Sequence, residues 1–109
     1  MIYIASPYSN ASDKELRAKT IKKYSANQFK FGHHVICPIT LGLALASVEK
    51  LSNDSQWWIS WCLDLLSRCD ELHVLCFDGW ETSSGLQAEI KFAKSRNIPI
   101  TYITIKDHA

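Results

Sequence analysis

The chain has 109 residues, 47% of them apolar, and a formal net charge of +1. That is one domain's worth of chain, with enough apolar surface to fold without disulfide or metal staples. No stretch approaches the roughly 18 apolar residues of a membrane span, and the charges nearly balance, so neither a bilayer nor a nucleic-acid polymer is the expected partner. The N-terminus enters a short apolar run with no basic region and no long apolar stretch of a signal peptide, which points to the cytoplasm.

Residues 2 to 5 read as a buried strand that ends at Ser6-Pro7-Tyr8-Ser9-Asn10, a loop-forming cluster. Ser12 and Glu15 then form a capping box for a helix in which Leu16, Ile21, Tyr24, Gln28 and Phe31 follow helical spacing, with Gly32 as the stop. Arg17, Lys19, Lys22, Lys23 and Lys30 give this helix a basic face, read as solvated. His34 to Cys37 is a second strand closed by Pro38, and Leu41 to Ala46 is a brief helix or a lid. His33 and His34 have no ligand at metal spacing, so no metal and no cofactor is expected there. Asn53 or Asp54 can cap the next helix, whose Trp57, Trp58 and Trp61 read as core, with one ring kept as a wall for a pocket. Leu72 to Phe77 is a third strand, a helix runs from about 84 to 95, and Ile98 to Ile103 is a fourth strand. Cys37, Cys62, Cys69 and Cys76 contain no C-x-x-C pair and read as reduced, buried thiols.

Apolar strands alternating with helices imply parallel pairing, hence a three-layer, flavodoxin-like α/β sheet of four or five strands in the order 2-1-3-4, with helices on both faces. The order reverses between strands 1 and 3, so the loops at 6–10 and 78–84 meet over one crevice. Glu89 is the residue this arrangement leaves unexplained. On the helix after that loop, Leu86, Ile90 and Ala93 recur at i, i+4 and i+7, and Glu89 projects within about 60° of their stripe. The positions three and four away hold Gly85, Leu86, Phe92 and Ala93, none of which can neutralise it. An inward carboxylate with no partner on its own helix is a candidate chemical centre. Ser83 and Ser84, with Gly85 behind them, form either an anion or sugar-hydroxyl site at the helix start or plain caps, since Ser84 and Gln87 also fit a capping box. The glycines match neither nucleotide-binding fingerprint.

Three segments carry a resemblance to a known family: Met1 to Tyr8, Leu65 to Leu72, and Ser83-Ser84-Gly85-Leu86-Gln87-Ala88-Glu89-Ile90. On these the chain resembles the nucleoside 2-deoxyribosyltransferase family, together with relatives that hydrolyse 2'-deoxynucleoside 5'-monophosphates at the N-glycosidic bond. The resemblance implies that Glu89 is the nucleophile, that Ser83 touches sugar or phosphate, and that Tyr3 stands beside the nucleophile. It also implies an aspartate at the position held here by Cys62. Asp64, the nearest carboxylate, turns about 200° away and pairs with Arg68 instead.

The expected activity is therefore cleavage or transfer at the N-glycosidic bond of a 2'-deoxynucleoside or its 5'-monophosphate. Glu89 would be the catalytic carboxylate, oriented by Tyr3, with Asp78 or Glu81 in place of the missing acid. Ser6, Ser9, Asn10, Trp80, Ser83, Ser84 and Gly85 are candidate substrate contacts, and Arg17 a further candidate for a 5'-phosphate. The pocket is short of walls and the sheet is small, so a homo-oligomer is expected. The alternatives are a nucleotide-binding or sensing module without efficient catalysis, motivated by Cys62, and an interaction protein that uses exposed tryptophans.

Overall fold

The apolar segments pair in register and leave two faces to be covered. In the computed structural model, which describes residues 1–9 and 11–105, β1 (Ile2–Ala5), β2 (Val35–Ile36), β3 (Glu71–Cys76) and β4 (Ile100–Thr104) form one four-stranded sheet in the order β2-β1-β3-β4. Every pairing is parallel, with Tyr3 opposite Leu72 and Leu72 opposite Ile100. Four helices pack around it: α1 (Lys14–Lys30), α2 (Pro38–Ala46), α3 (Ser55–Leu66) and α4 (Ser84–Ser95). The fold is α/β, with the strand order expected from sequence.

Side chains alternate along each strand, so the sheet divides the core in two. Tyr3, Ala5, Leu72 and Val74 face Leu66 of α3 and the α4 stripe of Leu86, Ile90 and Ala93. Ile4, Val35, Leu75 and Phe77 face Ile21 of α1, with Ile39 of α2 packed against them. Among the described residues no helix is long and apolar enough to cross a membrane.

Several boundaries differ from the sequence expectation. The α1 N-cap is Asp13, whose carboxylate accepts from Leu16 N–H at 3.0 Å, while Ser12 is exposed one residue outside. The buried positions of α1 are Arg17 and Ile21, whereas Leu16 and Phe31, assigned to the inner stripe, are exposed. Arg17 thus leaves the solvated basic face. Its guanidinium lies 4.6 Å from the Phe77 ring centroid and Nη1 donates to the Pro7 carbonyl at 3.2 Å, so both the aliphatic stem and the charged head are accommodated inside. β2 shrinks to two residues between Gly32, at φ +88°, and Pro38, the first residue of α2. β4 starts at Ile100 because Pro99 has no N–H for the ladder, though its carbonyl accepts from Leu72. Asp54 caps α3, and the exposed Asp64–Arg68 pair forms at 3.3 Å as the i,i+4 spacing requires.

Urea titrations check this assignment of caps and core. Asp13→Ala should cost about 1 kcal/mol and Ser12→Ala less than about 0.5 kcal/mol. Leu72→Ala, at the fully buried centre of the sheet, should cost about 2–5 kcal/mol.

Candidate functional site: a carboxylate, a phenol and a thiol at one cavity

Three elements distant in sequence each send one polar side chain to the same place. Tyr3 leaves the middle of β1 on the side covered by α3 and α4, and its hydroxyl donates a hydrogen bond to the Glu89 carboxylate of α4. Cys62 of α3 brings a thiol against the same hydroxyl. Glu89 reaches Tyr3 because it flanks the Leu86–Ile90–Ala93 stripe that seats α4 on the sheet. Among the described residues no lysine, arginine or histidine pairs with it.

Burial drives the electrostatics of this group. Desolvation pushes the Glu89 carboxyl up to about 7, against the opposing pull of the Tyr3 hydrogen bond, which favours the charged form. The Tyr3 hydroxyl is raised far above the ordinary phenol range, first by burial and then by the Glu89 charge, so it remains a donor at any working pH. Burial pushes the Cys62 thiol up to about 11, so it too keeps its proton; the Tyr3 hydroxyl pulls it down and the Glu89 charge raises it. The group therefore holds two protonated neighbours and one carboxyl poised near neutrality.

A cavity of about 580 Å³ adjoins it, within the usual range for small-molecule sites. Tyr3, Cys62 and Glu89 line its inner wall. Ser6, Tyr8 and Ser9 line it from the loop after β1, Lys14 from the first turn of α1, and Ser83, Ser84 and Gly85 from the start of α4. The apolar wall comes from Pro38, Ile39, Gly42 and Leu43 of α2 and from Trp58, Ile59 and Trp61 of α3. Trp58 is held on both sides. Its indole N–H donates to the Ser52 carbonyl at 2.7 Å, and a Cβ on Gly42 would sit 3.1 Å from its ring, so glycine there lets α2 close on the indole.

Residues 1–104 match the model of a family described as a domain of unknown function, DUF1937. The chain belongs to that family. No curated protein matches it.

In this DUF1937 domain Tyr3 and Glu89 meet directly, and Ser6, Ser9, Ser83, Ser84 and Gly85 share their cavity. Asn10 lies outside the described residues. Asp78 and Trp80 do not line the cavity. Gly79, at φ +84°, turns the chain after β3 into a short 3₁₀ turn over Trp80–Thr82, which leaves Asp78 exposed and packs Trp80 5.7 Å from the Tyr102 ring. Glu81 is exposed as well, so neither carboxylate proposed to replace the acid at Cys62 stands beside Glu89. Arg17 does not line the cavity either, and its head group serves Pro7 and Phe77.

The α4 cap also differs in detail. Ser83 is the N-cap, with Oγ accepting from Leu86 N–H at 3.5 Å, and Gln87 donates to the Trp80 carbonyl rather than closing a box with Ser84. A Cβ at Gly85 would meet nothing within 4 Å, so this glycine leaves open space rather than allowing a tight backbone contact. The tryptophans split: Trp58 and Trp61 line the cavity, and Trp57 is exposed. Lys14 was not singled out from sequence, since a first-turn lysine carries no mark of a pocket, whereas Leu41 to Ala46, read as a brief helix or a lid, forms the end of α2 and lines the cavity through Gly42, Leu43 and Ala46.

No group of three or more histidine, cysteine or acidic side chains among the described residues is arranged to hold a metal. On the opposite sheet face Tyr24 Oη and His73 Nδ1 share a hydrogen bond at 2.8 Å, and His73 Nε2 lies 3.3 Å from Glu71. None of the three lines the cavity.

The raised Glu89 carboxyl makes a stability prediction with a definite sign. Folding disfavours the charged form, so stability is intact below about 4.5, the ordinary glutamate value, and is lost as pH climbs to about 7. The full loss is on the order of 3 kcal/mol. Glu89→Gln removes it, so the variant should melt higher than wild type at pH 8, and the gap should close by pH 4.5 when melting is followed by circular dichroism.

Proposed function

We propose that this domain is an N-glycoside-cleaving enzyme that acts on a nucleoside or nucleotide, with Glu89 as the nucleophile. The observation that carries the proposal is the Glu89 carboxylate, unmatched by any basic side chain among the described residues, held by the Tyr3 hydroxyl on the wall of a ligand-sized cavity. Its partner set suits that chemistry. An oxocarbenium-like centre needs an anion beneath it, and a donor that never loses its proton keeps the anion oriented without neutralising it. Support also comes from the length of α4. Glu89 follows Ser83 by six positions, and at the rise of an α-helix this is roughly 9 Å, which lets the helix start meet the far end of a sugar whose anomeric carbon sits at Glu89. Lys14 and the Ser6 and Ser9 hydroxyls stand ready for polar groups on the sugar or a 5'-phosphate, while the Trp58 and Trp61 wall suits the flat base.

In this reading Glu89 attacks C1' as the base departs, and the glycosyl ester is resolved by water or by a second base. Both hydrolysis and deoxyribosyl transfer fit the resemblance noted from sequence. Chromatography of free base after incubation with 2'-deoxynucleosides and their 5'-monophosphates tests the proposal and shows which outcome applies. Glu89→Gln should lower base release by at least about 10³-fold, and release that survives the substitution refutes the nucleophile.

The pH profile supplies a second test. Protonated Glu89 cannot attack, so kcat/KM should rise with pH up to about 7 and then level off. Tyr3→Phe removes the hydrogen bond that favours the charged form, so it should move this rise to higher pH as well as lowering the plateau. A profile in Tyr3→Phe with an unmoved midpoint would show that the hydroxyl does not hold the nucleophile.

One observation favours a second reading, a nucleotide-sensing module without turnover: Cys62 puts a thiol where general acid catalysis calls for a carboxyl. That reading expects ligands to raise the melting temperature with no base released from any of them.

A further inference from the structure

We infer that the ligand cleaved here carries a positively charged heterocycle on its anomeric carbon, an N-alkylated purine or pyridinium glycoside rather than a neutral nucleoside. The inference rests on the Glu89 reading above and specifies its substrate class.

Three observations converge on a cation. Glu89 is a carboxylate facing the cavity, and although Lys14 lines the same cavity from the first turn of α1, no cation among the described residues pairs with Glu89, so a desolvated anion of that kind is the natural counterpart of a cationic ligand. Two indoles, Trp58 and Trp61, line the same cavity, with ring centroids 5.8 Å apart in an edge-to-face arrangement, and aromatic walls of this sort attract cations. The third observation concerns the proton. A neutral purine or pyrimidine must be protonated as it leaves, but the groups beside Glu89 are a thiol and a phenol that both hold their protons tightly.

A cationic ring needs no such acid. The C1'–N bond breaks with its electron pair passing to the ring nitrogen, which cancels the ring's positive charge, while a Glu89 oxygen forms the new bond to C1'. Water then hydrolyses the glycosyl ester, which regenerates the carboxylate and releases one proton to solvent. The same positive charge also favours the ionised form of Glu89 once the ligand is bound, so the substrate helps prepare its own nucleophile.

A sugar-matched pair tests this on the wild-type protein. Free base from 2'-deoxyadenosine and from 7-methyl-2'-deoxyadenosine, which has no acidic ring N–H and so stays cationic, would be measured by chromatography at pH 7.5 with wild-type enzyme, with Glu89→Gln and with no enzyme; the 5'-monophosphates would be run alongside. The blank-corrected enhancement should favour the cation by about 100-fold or more, the scale of one general acid's contribution, and should vanish in Glu89→Gln. Equal Glu89-dependent enhancement for both compounds overturns the charge preference and leaves the glycosidase reading standing. No Glu89-dependent release from any of the four overturns the glycosidase reading itself. Cys62→Asp adds a positive control of the reasoning: a carboxyl beside Tyr3 should narrow the cation-to-neutral ratio by about tenfold or more, and an unchanged ratio in a folded variant counts against the inference.

Discussion

The site depends on one hydrogen bond between a strand and a helix, donated by Tyr3 of β1 to Glu89 of α4. Each partner is costly to bury alone, since a lone phenol hydroxyl wastes a donor and a lone carboxylate loses its hydration. Together they fix the distance and rotation of α4 against the central strand, while Leu86, Ile90 and Ala93 supply the apolar contact that seats the helix. The carboxylate is left only partly compensated, which is why its proton is released near neutrality rather than at the usual acidic pH. A core built for stability alone would not retain such a group, and strained or under-satisfied polar groups are typical of functional sites.

The rest of the molecule is arranged around that bond. The parallel strands end at the same side of the sheet, so the loop after β1 and the start of α4 both open onto one crevice beside Tyr3 and Glu89. The crevice is roofed by α2 and α3, and their fit depends on Gly42, which lets the Trp58 ring pack against the α2 backbone. The other sheet face is spent on anchoring. Arg17 crosses from α1 to the Pro7 carbonyl and the Phe77 ring, which ties down the root of the loop that carries Ser6 and Ser9 into the cavity. A residue remote from the carboxylate thereby helps to shape the wall opposite it.

Local patterning carried much of this architecture. The order of strands and helices, their parallel pairing, the α4 stripe and the inward turn of Glu89 all follow from periodicities of 2 and 3.6 residues and from the absence of a neutralising partner on the same helix turn. The Asp64–Arg68 pair and the Asp54 cap were legible for the same reason, because each involves residues within one helical turn. Arg17 was misread because a charge on a helix normally means solvent, and its burial depends on a carbonyl and a ring contributed by other elements. Asp78 and Trp80 were misread because their direction is decided by the left-handed turn at Gly79, a backbone event that residue types alone leave open.

The chain's order of residues by itself determined the α/β class, the 2-1-3-4 sheet and the inward turn of Glu89, since these follow from alternation and helical spacing that can be counted along the chain and from the handedness of parallel crossovers. Tyr3 and position 62 beside Glu89 were implied by resemblance alone, and the tertiary structure supplied the hydrogen bond and the thiol contact that join them; it alone decided that Trp58 and Trp61 are both walls and that Lys14 belongs to the cavity. Those pairings join residues as much as 86 positions apart, and an aromatic at helical spacing looks the same in sequence whether a sheet or an empty space lies opposite it.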